Sequence, residues 1–154
     1  MPKCKQCGTY NSFLKLTRDG LCCACNVERL IDENEYFNIA KEFHCYLPNN
    51  YFFYIAVDNI YKKFALVVQS ASKEFHISYY NFSDIIDFKL EKAYANDGKC
   101  VSLMISIFLN SLQRPAILFY LINSPIAIGA DNYNYAIHSA SQIYGLLSYM
   151  RYNA

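Results

Sequence analysis

Two cysteine pairs near the N-terminus constrain this chain of 154 residues more than any other feature of its sequence. Two residues separate Cys4 from Cys7 and Cys22 from Cys25, and fourteen residues lie between the pairs. A structural zinc ion takes four soft ligands in a tetrahedron, and a Cys-x2-Cys turn directs two sulfurs at one point. The spacing therefore predicts one structural Zn²⁺ bound by all four thiolates. The alternative is four thiols without a metal.

Three further cysteines lie outside this pattern. A ligand pair made of Cys23 and Cys25 would leave only one residue between the sulfurs, so Cys23 is predicted to be a bystander, although its use in place of Cys22 stays open. Cys45 and Cys100 lie in apolar segments, where a free cysteine behaves as a small hydrophobe. We assign neither of them a metal or a reaction.

The first residues of the chain and its apolar stretches indicate the cellular compartment of the protein. The first residues lack the apolar run of a secretory signal. The longest apolar stretches, 100–109 and 115–122, are shorter than the roughly 20 residues that span a bilayer. In a reducing cytosol, cysteines bind metal more often than they form disulfides. We therefore expect a cytoplasmic protein without a transmembrane segment.

From residue 51 the sequence alternates as a strand does, with Phe53, Ile55 and Val57 on one face. Similar runs predict strands near 64–69, 74–79, 85–92, 101–109 and 116–122, with turns at 70–73, 96–98 and 114–115. The 15 Tyr and 11 Phe residues suit half-buried strands. Six short strands at this spacing predict an antiparallel curved sheet or open barrel.

Helical patterns flank the strands. Residues 26–47 place apolar side chains at helical spacings, which predicts a connecting helix that ends before Pro48. Asp131 is predicted to cap a C-terminal amphipathic helix. Its apolar stripe would cover an open end of the sheet, and consists of Tyr133, Ala136, Ile137, Ala140, Ile143, Tyr144, Leu147 and Met150. The predicted class is α+β, with a zinc ribbon (1–30), a helical linker (31–47) and a β domain with a C-terminal helix (48–154).

The N-terminal motif resembles a known type. The segments 3–8 (KCKQCG) and 16–22 (LTRDGLC) resemble the short zinc ribbons at the N-termini of uncharacterised bacterial and phage proteins, in which Leu-x-x-Asp-Gly-x-Cys introduces the second cysteine pair. The likeness covers residues 1 to about 30. It implies zinc, and a bacterial, phage or mobile-element setting, but no activity.

The body resembles bacterial pleckstrin-homology-like (PH-like) domains. The likeness rests on the order of segments 54–58, 63–67 and 77–90 (ISYYNFSDIIDFKL), followed by the long helix. It implies a seven-stranded curved sheet with one end capped by a helix, one strand more than the alternation pattern predicts. Such a fold names no function by itself.

The residues that catalysis would need are not grouped in the sequence. His44, His76 and His138 lie in unrelated segments, and no nucleophile–base or phosphate-loop pattern is present. Four sulfurs would also leave zinc no open coordination position. We therefore expect a non-enzymatic binding or adaptor protein that engages a protein partner through the edges and grooves of its sheet.

Two alternatives concern other ligands. A zinc ribbon can bind nucleic acid, but residues 1–30 carry five basic and two acidic side chains, and four thiolates with Zn²⁺ would add two negative charges. That leaves little positive charge for phosphate. Lipid binding through the PH-like domain needs a basic pocket, and the segment 59–63 offers only Lys62 and Lys63. Nucleic acid is the first alternative, and lipid the second.

Overall fold

The computed structural model describes residues 2–10, 16–17, 20–34, 36–69 and 74–154, and within them the fold is α+β, as predicted. The turn expected at 70–73 lies outside these residues. Helix α1 spans Cys23–Asn34 and helix α2 spans Asp131–Tyr152. Seven strands lie between them: β1 (Lys41–Leu47), β2 (Tyr51–Asp58), β3 (Lys63–Gln69), β4 (Phe75–Asn81), β5 (Ile85–Tyr94), β6 (Cys100–Leu109) and β7 (Ala116–Ile122).

The strands form two antiparallel sheets, ordered β1-β2-β3-β4 and β5-β6-β7. Apolar residues of both sheets share one core with α2. The alternation predicted for β2 is confirmed, because Phe53, Ile55 and Val57 lie in this core. The opposite face of β2 is also buried, in a second core that includes residues of α1.

Helix α2 packs an apolar stripe against the core, as its sequence predicts. Asp131 is the first helical residue, and the capping position belongs to Ala130, which makes no side-chain cap. The Asp131 carboxylate still lies in the first turn, where it favours the helix dipole. The buried residues of α2 are Ala136, Ser139, Ala140, Ile143, Leu147 and Met150. Among the described residues, no helix is both long and apolar enough to cross a membrane.

The helical linker predicted over 31–47 is wrong for its second half. Helix α1 ends at Asn34, and β1 pairs antiparallel with β2 from Lys41 opposite Val57 to Leu47 opposite Tyr51. Alternate residues Phe43, Cys45 and Leu47 face the core that the two sheets share with α2, and β2 supplies the backbone hydrogen bonds. Strand β1 is the seventh strand that the alternation pattern missed. The division at 30 and 47 stays a prediction.

Helix α1 lies on the outer face of the four-stranded sheet. Val27 and Ile31 are fully buried there, in one cluster with Phe52, Tyr54 and Val67. The segment that follows is held by a buried carboxylate. Asp58 accepts hydrogen bonds from the backbone N–H of Asn38 at 3.0 Å, Ile60 at 2.8 Å and Tyr61 at 3.0 Å. Apolar packing therefore joins α1 to the sheet, and a satisfied polar contact joins the segment after α1 to the end of β2.

Candidate metal centre

The first cysteine pair lies in a tight turn. The Gly8 N–H donates to the Cys4 carbonyl oxygen at 3.0 Å, and the Cys4 N–H donates to the Thr9 carbonyl oxygen at 2.9 Å. Gly8 has a φ of 75°, a left-handed conformation that glycine adopts without a steric penalty. This turn brings the sulfurs of Cys4 and Cys7 within 4.8 Å of the sulfurs of the second pair.

The second pair lies at the start of α1. Cys22 immediately precedes the helix, and Cys25 is in its first turn. Gly20, with a φ of 78°, accepts a hydrogen bond from the Lys5 N–H at 2.9 Å, which joins the two cysteine turns. The expected hairpin turn at Asp19-Gly20 is described only at Gly20. The ligands of the second pair are thus positioned by a helix N-terminus.

The four predicted ligands, Cys4, Cys7, Cys22 and Cys25, are brought together, with all four sulfurs within 4.8 Å of one another. Tetrahedral zinc with Zn–S bonds of about 2.3 Å requires sulfurs about 3.8 Å apart. The Sγ atoms of Cys7 and Cys22 are separated by 3.8 Å. The donor set and its spacing therefore fit a tetrahedral metal ion.

Hydrogen bonds and burial act in opposite directions on these thiols. The backbone N–H of Cys7 is the main cause that lowers the pKa of Cys4 to about 6, and the Cys22 N–H adds a bond to Cys4 Sγ at 3.3 Å. The Thr9 hydroxyl lowers the pKa of Cys7. Burial raises the pKa of Cys22 and of Cys25. A divalent cation held by these four residues would offset that penalty, because it stabilises the thiolate form.

The other cysteines lie elsewhere. Cys23 packs with the second core, against the sheet, and is not part of the four-sulfur group. Cys45 is buried in the core that the two sheets share with α2, where desolvation raises the pKa of its thiol to about 11. Cys100 is buried, and its thiol lies 3.4 Å from the Ser102 carbonyl oxygen. These positions agree with the bystander and apolar roles predicted for the three residues.

Among the described residues, the histidines join no further group that could hold a metal ion. His44 packs on Phe52 and His138 on Phe43, at ring-centroid distances of 5.6 Å and 6.5 Å, and His76 is on β4. Near the metal centre, Lys3 Nζ lies 4.8 Å from the centroid of the Tyr10 ring. Lys15 and Arg18, counted above among the basic residues, fall outside the described part of the chain.

One group of polar residues was not predicted from the sequence. Glu28 on α1 and Glu42 on β1 line one cleft, the Tyr54 hydroxyl donates to Glu42, and the neighbouring Glu42 carboxyl raises the pKa of Glu28. Nothing in the local sequence pairs positions 28 and 42, because the contact depends on how α1 lies on the sheet.

Comparisons with family models, with curated proteins and with solved structures found no match for this chain. The case for a metal centre therefore depends on the donor set, the distances between the sulfurs, and the hydrogen bonds that surround them.

Proposed function

We propose that this chain is a non-enzymatic adaptor that carries one structural zinc ion and engages a protein partner. The observation that carries the proposal is the group of four cysteine sulfurs within 4.8 Å of one another. A tetrahedral set of four thiolates suits zinc or an iron–sulfur centre, and the Cys-x2-Cys spacing favours zinc. Four protein ligands leave no coordination position for a substrate, which supports a structural role.

The metal's position supports the same role. Two ligands come from a short turn that contributes no residue beyond Cys4 to the buried apolar groups, and two come from the start of α1. A unit this small needs a metal to fold. The ion would hold the turn on α1, and α1 in turn is packed on the sheet through Val27 and Ile31.

The surface proposed for the protein partner is the outer face of β7. Leu118 and Tyr120 point away from the core and are 58% and 48% exposed, whereas their neighbours Ile117 and Phe119 are buried. Strand β7 is also at the edge of its sheet. An exposed apolar face on an edge strand is the kind of surface that extended peptides bind.

Metal content tests the first half of the proposal. Elemental analysis of the purified protein should find one zinc per chain, and an iron–sulfur centre would instead give iron and visible absorption. Protein that contains neither metal, even after refolding with Zn²⁺ under reducing conditions, would refute the metal centre.

The partner is tested with a surface variant. Proteins that co-purify with the wild-type chain from its host should be lost with Leu118→Asp and retained with Ile60→Asp, which alters a different exposed apolar residue, 70% accessible, in the β2–β3 turn. The partner protein that is retained with Ile60→Asp is then purified, and its binding to the wild-type chain and to both variants is measured directly. Equal binding to both variants would contradict the β7 surface, and recovery of nucleic acid alone would favour the first alternative.

A further inference from the structure

The contact between α1 and the sheet contains an unusual pair of acids. Glu28, half-buried on α1, lines one cleft with Glu42 of β1, and the two carboxyl groups are close enough for Glu42 to raise the pKa of Glu28. The buried Tyr54 of β2 donates its hydroxyl to Glu42 Oε2. Glu42 thus accepts from Tyr54 and can accept a second hydrogen bond only from a protonated Glu28. Two ionised carboxylates at this separation would repel each other.

The charges around the pair do not neutralise it. Asp32, one turn along α1, adds a negative charge. Lys41 lines the same cleft, but its ammonium lies over the Tyr149 ring of α2, 4.8 Å from the centroid. His44, further along β1, has its pKa lowered by desolvation, which favours the uncharged ring. The Tyr54 pKa is raised, mainly by burial, so its hydroxyl remains a donor.

We propose that Glu28 and Glu42 form a proton-dependent switch that controls how tightly the metal-bearing helix α1 packs on the sheet. With one proton between the two carboxyls, a hydrogen bond joins α1 to β1 across the interface. With both carboxyls ionised, the contact becomes repulsive and α1 leaves the sheet more readily. The buried side chains that α1 would expose on leaving are Val27 and Ile31.

The direction of the effect follows from Glu28. The hydrogen bond with Glu42, with burial second, raises the pKa of Glu28 from 4.5 to about 7. Because the packed state holds the proton more strongly than the detached state, packing is favoured fully at low pH and loses that support as the pH rises through about 7. The switch therefore operates close to neutral pH.

Hydrogen exchange of the α1 amides tests the proposal. In the protein as purified, protection of α1 relative to β2 should fall roughly tenfold between about pH 5.5 and about pH 8.5, after correction for intrinsic exchange, as expected if about two pKa units of difference remain after screening. Bound metal is measured at each pH, since thiolate ligands also titrate. The Glu28→Gln variant keeps a donor that does not ionise, so its relative protection should be independent of pH.

The matched control is Glu33→Gln, on the exposed side of the same helix, where Glu33 pairs with Arg29 at 3.1 Å. It should keep the pH dependence of the wild type. A pH dependence unchanged in Glu28→Gln, or absent in the wild type, would overturn the proposal. Should Glu28→Gln fail to fold, the carboxyl resonance of Glu28 in the wild type decides. A midpoint near 7 supports the switch, and one near 4.5 refutes it.

Discussion

The backbone N–H of Cys22 donates to the sulfur of Cys4 at 3.3 Å. This bond crosses from the start of α1 to the first cysteine turn, so it joins the two pairs before any metal is considered. A backbone donor directed at sulfur favours the thiolate, which is the form that binds metal. The protein backbone thus contributes to arranging the four sulfurs for a cation.

The Cys22→Ser variant should lose the bound metal, because three sulfurs no longer complete the tetrahedron. The Cys23→Ser variant should retain one equivalent, since the Cys23 side chain packs toward the sheet and is outside the four-sulfur group. Elemental analysis of both purified variants checks this. If Cys23→Ser loses the metal and Cys22→Ser retains it, Cys23 is the ligand and Cys22 is the bystander.

Asp58→Ala should destabilise the fold by about 2–4 kcal/mol, because three backbone N–H groups lose a buried acceptor. Chemical denaturation measures the change in the free energy of unfolding. The control is Asp97→Ala, where an exposed carboxylate accepts one N–H bond, from Lys99 at 3.0 Å. We expect less than about 1 kcal/mol there. Equal effects at the two sites would show that burial of Asp58 does not matter.

Ile31→Ala should lower the free energy of unfolding by about 2–4 kcal/mol if α1 and the sheet unfold together, because it leaves a cavity in the second core. The same substitution at Ile60, which is 70% exposed, should cost little. Denaturation followed by circular dichroism compares the two variants. If Ile31→Ala leaves the sheet transition unchanged but removes protection from α1 in hydrogen exchange, the helix unfolds as a separate unit.

Truncation tests the predicted division into an N-terminal zinc unit and a β domain. A chain starting at Tyr36 keeps the seven described strands and α2, so it should be β-rich and melt cooperatively, although below the full chain because the outer face loses the cover of α1. Circular dichroism records both properties. A chain starting at Tyr46 loses most of β1 and should be clearly less stable. If the longer fragment is unfolded, the division is wrong and α1 belongs to a single cooperative core.

Local chemistry made much of this protein predictable. The spacing of four cysteines identified the group that the structure brings together, because a Cys-x2-Cys turn needs only short-range backbone geometry. Alternation identified β2, and helical periodicity identified the buried stripe of α2. These patterns depend on which face of one element is apolar, and the order of apolar and polar residues along the chain gives that face directly.

The remaining features were decided by contacts between distant segments. Residues 41–47 have apolar positions compatible with a helix face and with a strand, and pairing with β2 selects the strand. The outer face of β2 is apolar in the sequence, but only the packing of α1 shows what covers it. The Glu28–Glu42 contact arises from that same packing. Sequence thus determined the periodic elements and the group of four cysteines, whereas tertiary structure decided the pairing and charge contacts, because those free energies depend on partners far along the chain.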